Sequence, residues 1–438
     1  MDHGSSLLLG LAGLGVEDVE RDRDGARVVH VITVDEQAAA CPSCGVFSTS
    51  VKGNVTTAPK DLPYGEEPLA IRWHKRRWRC AERRCDRLSF TESIGEVPAG
   101  RRTTGRLLRS CVDAVVENRC VDEVARAHGV SWPTVQRAVD DHARANLGEP
   151  GPTPVLGIDE TRFGAPRWAQ DPLTEKWRLT DPWETGFVDL ATGQGVLGQV
   201  TGRTSAAVIA WLLARDQAWR DAVEFVAIDP AAPYRAAVRT ALPHAVIVVD
   251  HFHLVRLGNQ VVTAVRQRVT QHNLGRRGRK SDPVWTNRRL LLRARERLST
   301  RAFARMWNGC IDTDPTGELL AAWIGKELLR ELLATARRGG HRHEISTALY
   351  RFYHWCAAAE IPELTTLAET VEAWWPEILA FLHTKITNAG TEGTNRLTKQ
   401  VKRGACGFRN KQHYRDRVRL HSARPTRQTS ASTRHLPG

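Results

Sequence analysis

The chain has 438 residues and a formal charge of +14, with 41% hydrophobic and 26% charged residues. That is the balance of a soluble globular protein with room for two to four domains. The longest apolar run, LLLGLAGLGV at 7–16, is too short to span a bilayer and follows no cationic segment, so a membrane span and a secretory signal are excluded and a cytoplasmic protein is expected. The basic residues are mostly Arg, and they cluster. Residues 266–305 hold 13 Arg/Lys against 2 acids, and residues 396–438 hold 12 against 1. Arg in such runs suits phosphate recognition, so nucleic acid is the expected partner.

Residues 1–40 read as strands, ending in the β-branched run RVVHVITV at 27–34. The nine cysteines are odd in number, and four precede residue 90, which fits metal binding in a reducing compartment better than disulfides. Cys41 and Cys44 flank a CPSCG turn, and Cys80 and Cys85 form a looser second pair. Two such knuckles supply four thiolates to one structural zinc, with His74 as an alternative to one of them. The stretch WHKRRWRCAERR between the knuckles mixes basic and aromatic residues. It suits contact with phosphates or, alternatively, a scaffold face.

From 104 to 145 the periodicity turns helical. Val121–His128, a turn at Gly129 and a second helix capped by Ser131 with Pro133 near its start have the spacing of a helix-turn-helix. Val135 and Val139 point inward. Ser131, Thr134, Gln136 and Arg137 are the expected DNA contacts, with phosphates contributing much of the affinity. A plain helical hairpin has the same pattern. The joint GEPGPTP at 148–154 then marks a boundary.

After the joint the predicted order is strand (155–159), two strands (177–190 and 194–200), helix (205–221), strand (224–229), helix (234–242) and strand (245–250). This is the order of an RNase H-like core, in which the first and fourth strands adjoin. Three apolar runs end in an acid, at Asp159, Asp229 and Asp250, and Glu392 stands in a late helix. Carboxylates at one sheet edge make a site for divalent ions and phosphodiester chemistry, with two ions roughly 3.5–4 Å apart. Element order selects Asp159 and Asp229 with Glu392, and leaves Asp250 as the competitor of Asp229. Glu160 is expected on the opposite side of the strand. DHFH at 250–253 looks like a ligand set, although a supporting role is the simpler reading. Lys399, Lys402 and Arg403 follow Glu392 at i+7, i+10 and i+11, near its face, where they would meet DNA phosphates. Residues 254–380 contain no convincing strand and resemble a helical insertion. The basic end, rich in Arg, Ser, Thr and Pro, is expected to fray.

The CPSCG knuckle, the helix-turn-helix, GIDE at 157–160, AIDP at 227–230, VVDHFHLV at 248–255 and TEGTNRLTKQVKRGACGFRN at 391–410 together resemble the DDE transposases of bacterial insertion sequences, most closely the IS-L-three (ISL3) family. The likeness spans nearly the whole chain, and its one departure is NAGTEG around Glu392. It implies a triad matching Asp159, Asp229 and Glu392 on an RNase H-like core with an α-helical insertion, and N-terminal modules that bind the terminal inverted repeats.

The organisation expected is a mixed α/β multidomain chain. It comprises a zinc-binding domain (1–100), a helix-turn-helix domain (101–150), the first part of the core (151–253), a helical insertion (254–380), the second part of the core (381–415) and a basic tail (416–438). Structural Zn²⁺ and catalytic Mg²⁺ or Mn²⁺ are the expected metals. The expected partner is double-stranded DNA, both element ends and target, bound by a homodimer or larger oligomer. The rival functions are a DNA-binding regulator with an inert fold and a structure-specific nuclease.

Overall fold

The computed structural model describes residues 3–64, 67 and 69–423. The chain divides into two compact units, residues 1–148 with 400–421 and residues 149–399 with 422–438.

In the first unit the apolar start is not a strand. It forms a helix, His3–Leu9, and a strand begins only at Leu14, because Gly10 and Gly13 both adopt positive φ and turn the chain between them. A five-stranded sheet runs in the order Leu14–Arg21, Arg27–Thr33, Leu69–Arg79, Val51–Thr57, with Ser89–Thr91 also paired to Leu69–Arg79. Its core gathers Leu14, Val16, Val29, Val31, Ile71 and Trp73. The basic and aromatic stretch before the second knuckle is thus the long central strand. Period-two alternation buries Trp73 and, after a slip, Trp78, while Arg72, Arg76, Arg77 and Arg79 stay exposed. The tryptophans of that stretch belong to the core, and only its arginines are free to meet an anion.

Three helices follow: Gly105–Val116, Val121–Ala127 and Trp132–Asn146. Thr104 caps the first by accepting a bond from the Leu107 amide. Leu107, Val115, Val124, Ala125, Val135 and Val139 close the core of this bundle. Residues 416–422, expected in a frayed tail, instead continue a helix, Lys411–Ser422. The physical reason is apolar spacing within the basic run: Tyr414, Val418 and Leu420 are buried, and Leu420 joins the three-helix core. Arg417 donates to the Arg119 carbonyl at 2.6 Å. The rest of the expected tail, 424–438, lies outside the described residues.

The second unit is built on a five-stranded sheet in the order Val196–Thr201, Trp183–Asp189, Val155–Arg162, Phe225–Ile228, Val246–Val249. The first three strands are antiparallel and the last two join in parallel, so Val155–Arg162 lies beside Phe225–Ile228 with Ile158 opposite Ile228. The single strand expected over 177–190 is split. Asp181-Pro182 breaks it, since Pro cannot donate to the ladder. Trp177–Thr180 therefore pairs with Arg167–Gln170 in a separate exposed hairpin.

From His251 to Thr384 the described residues form helices and no strand, and their apolar faces merge with the sheet in one continuous core. The helix Ala389–Gly404 then presses onto the sheet at Gly157. A Cβ there would stand 2.1 Å from Thr391 Oγ1 and 3.2 Å from Asn388 Oδ1, so only Gly permits the approach.

Candidate active site

Three apolar strands deliver three acids to one edge of the second unit's sheet. Leu156, Ile158, Val226, Ile228, Val248 and Val249 are all buried, which fixes the strands; Asp159, Asp229 and Asp250 are the polar residues at which this burial stops. Because Ile158 pairs with Ile228, Asp159 and Asp229 emerge side by side from neighbouring parallel strands.

Asp159 Oδ1 accepts a bond from the Glu160 amide at 2.8 Å, and Oδ2 accepts from Asn395 Nδ2 at 2.5 Å. Asp229 accepts a long bond from Asn388 Nδ2 at 3.4 Å and lies 2.7 Å from His253 Nε2. The other ring nitrogen of His253 lies 3.3 Å from Asp250 Oδ2. Asp250, His253 and Glu392 each offer a ligand atom within 4.8 Å of the other two. Glu392 sits in the first turn of its helix, and its amide bonds the Asn388 carbonyl. The acids therefore form a chain of neighbours: Asp159 beside Asp229, Asp229 joined by His253 to Asp250, and Glu392 against Asp250 and His253.

Burial, with the adjacent Asp229 charge next in weight, pushes the Asp159 carboxyl up to about 7, only partly offset by the Glu160 amide. His253 moves the other way for a base: burial opposes its charge, yet bonds to Asp229 and Asp250 raise it to about 9. Asp250 is held well below the usual carboxylate range, since its bonds to His251 and His253 outweigh its burial. Asn388 Oδ1 and Thr391 Oγ1 are buried without a partner beside Gly157. Crowded carboxylates, one of them reluctant to ionise, fit a site for divalent cations.

Glu160 is held apart from this group, as its position predicts. Tyr234 donates to Glu160 Oε2 at 2.7 Å, and the same hydroxyl lies 3.2 Å from Thr185 Oγ1. His253, Asn388 and Asn395 escaped notice as site residues. The spacing of DHFH signalled His253; nothing in the sequence singled out the two asparagines, which are recognisable only once their helix is set on Gly157. Lys399 is exposed on the Glu392 helix, while Lys402 and Arg403 fall in the first unit.

In the first unit the four expected thiols meet. Cys41 and Cys85 sulfurs are 3.9 Å apart, Cys44 and Cys80 3.6 Å, and all four lie within 4.8 Å of one another. Thiolates on a tetrahedral ion with bonds near 2.3 Å stand about 3.8 Å apart, so the set fits structural zinc. Burial opposes ionisation of Cys41, but the Cys44 and Ser43 amides bring its thiol down to about 6. His74 is not among these ligands: its nitrogens are 2.9 Å from His30 Nδ1 and 3.0 Å from Thr56 Oγ1.

The helix pair Val121–Ala127 and Trp132–Asn146 turns at Gly129, which has φ +61°. Ser131 and Arg137 are exposed and Thr134 is half-buried. Ser131 occupies the cap position but bonds the Thr134 hydroxyl, not an amide. Gln136 is the exception among the expected groove residues. It is buried, and its amide donates to Asp140 Oδ1 at 2.7 Å, because it falls on the same side as Val135 and Val139. Trp132, unremarked in the sequence, is exposed at the start of that helix.

The comparisons with known proteins agree with one another. A family model for ISL3, described as "Transposase", matches residues 156–418. A "zinc-finger of transposase IS204/IS1001/IS1096/IS1165" matches residues 37–85, and a "Helix-turn-helix domain of transposase family ISL3" matches residues 92–143. The transposase for insertion sequence element IS1001 of Bordetella parapertussis is 26% identical over 416 residues, covering 94% of this chain and 95% of that protein. Among solved structures, the Drosophila P element transposase strand transfer complex matches at 11% identity and TM-score 0.34, over 72% of this chain and 92% of that one.

Proposed function

As this chain belongs to the ISL3 family of transposases, we propose that Asp159, Asp229 and Glu392 are the carboxylates that hold its catalytic metal ions. The enzyme is a DNA transposase that cuts and joins DNA strands, with a helix-turn-helix for DNA binding and a zinc ribbon for structural support. One observation carries the assignment of the site: two acids leave adjacent parallel strands side by side, and a third is brought towards them by a helix that only Gly157 lets so close. The strand order and the helices from residue 254 to 380 support an RNase H-like core with an all-α insertion.

Divalent ions, Mg²⁺ or Mn²⁺, supply the activation of a water and the neutralisation of charge on the scissile phosphate when bound here. The protein's own part is positioning. Asn395 and Asn388 aim the Asp159 and Asp229 carboxylates, and His253 ties Asp229 to Asp250. Asp250 and His253 then stand beside Glu392 as a ligand alternative or as its electrostatic support. Ser131, Thr134 and Arg137 contact the terminal inverted repeats, with Lys399, Lys402 and Arg403 on phosphates. The active species is a homodimer or larger oligomer on DNA, in the cytoplasm, where nine free thiols persist.

The reaction is hydrolysis at each end followed by attack of the freed 3′-hydroxyl on target DNA. The test incubates full-length protein with Mg²⁺, a labelled duplex carrying the element end, and a supercoiled plasmid. Label joined covalently to plasmid is the expected result. Nicking without joining identifies a structure-specific nuclease, and binding with neither identifies an inert regulator.

A further inference from the structure

The helix His251–Leu274 carries Arg266, whose residue is only 6% exposed. Among the described residues nothing accepts a hydrogen bond from its guanidinium, and no carboxylate pairs with it. Its charged neighbour has the same sign: burial, and then Arg288, depress the basicity of Arg266. Both guanidinium groups lie near one indole, Arg266 at 5.5 Å and Arg288 at 4.4 Å from the Trp285 ring centroid. Arg288 is anchored there by a 2.7 Å bond to the Trp285 carbonyl. A buried cation facing a second cation is costly unless an anion completes the group.

The surroundings specify what kind of anion. The loop after this helix lies on the same tryptophan, since a Cβ on Gly278 would be 3.0 Å from Trp285 Cε3. That loop exposes Arg277, Arg279 and Lys280. Residues 276–305 hold 11 Arg/Lys and 2 acids, and both acids are already engaged: Asp282 by Arg276 and Glu296 by Arg330. The uncompensated charge is an extended track, which suits a polymer of phosphates better than a single ion.

We propose that Arg266 and Arg288, flanking Trp285, seat a phosphate of the DNA backbone, and that Arg277, Arg279 and Lys280 follow the strand away from it. Planar guanidinium groups present paired donors to phosphate oxygens, and the indole fixes their planes beforehand. Contact is with backbone alone, so it adds affinity without sequence preference. The inference rests on the chain's action on DNA and not on which carboxylates hold metal.

The test measures binding of full-length protein to a duplex lacking element-end sequence, without divalent metal, across a range of salt. Each lost phosphate contact lowers the salt slope by about 0.9. R266M should reduce the slope by about one and weaken binding to all duplexes alike, while the fold stays as stable or gains stability because an unpaired buried charge is gone. R288Q, on a half-buried residue, provides the same reading should R266M fail to fold. Unchanged slope and affinity in the variants overturn the proposal. So does a lower melting temperature with the slope intact, which marks a structural role. A third arm titrates inorganic phosphate: stabilisation of the wild type by millimolar phosphate, with duplex binding unaffected in R266M, assigns a small-anion site and overturns the DNA assignment.

Discussion

Asp159→Asn is expected to abolish strand cleavage, by about a thousandfold or more, while making the metal-free protein more stable. The two effects share one cause. Burial and the Asp229 charge raise the Asp159 carboxyl from 3.8 to about 7, so above that pH the fold carries an ionised group it disfavours. The folded state binds the proton more tightly than the unfolded chain, and wild-type stability therefore falls as pH rises from about 4 to about 7. At pH 8 the asparagine avoids this cost, on the order of 2–4 kcal/mol, and its amide still meets Asn395. Thermal unfolding without divalent metal checks it: the variant melts higher at pH 8, and the difference closes toward pH 4. Saturating Mg²⁺ should narrow the gap at pH 8 by stabilising only the wild type. Equal melting temperatures at pH 8 would show that Asp159 is not under electrostatic stress.

Removing zinc is expected to collapse the N-terminal sheet locally and to release DNA. The four sulfurs are backed by a minimal core, Cys41 with Trp78 and Phe90, too small to hold the knuckles in place alone. Structural zinc contributes on the order of 10 kcal/mol in small isolated modules. Cys44→Ser or a strong chelator should lower metal content from one zinc per chain to none and expose Trp78 to solvent. Atomic emission and tryptophan fluorescence read the two changes. Stoichiometric zinc that survives in the serine variant would remove Cys44 from the site.

What the residues disclosed depended on how local the determining physics was. The knuckles were legible because Cys spacing and a turn-forming Gly are local features, and the sulfurs do converge. The helix-turn-helix was legible for the same reason, yet Gln136 was misplaced. One residue of phase around a helix separates groove from core, and only packing against Val135 and Val139 fixes it. Strands ending in acids were visible as apolar runs, and the pairing of Ile158 with Ile228 places two of those acids side by side.

The hairpin Arg167–Gln170 with Trp177–Thr180 was hidden within a continuous β-like stretch, where Asp181-Pro182 was the one available break. The C-terminal helix was hidden by composition: twelve basic residues read as a tail, while three buried side chains decide otherwise. The bridging of Asp229 and Asp250 by His253 joins residues from two strands and a helix start, and no sequence period encodes it.

The central claim concerns which carboxylates hold the metal, and anomalous scattering from crystals soaked in Mn²⁺ reads that directly. The account predicts manganese bonded to Asp159 and Asp229, with Glu392 completing the coordination. Manganese seated only among Asp250, His253 and Glu392, with Asp159 unligated, would contradict it.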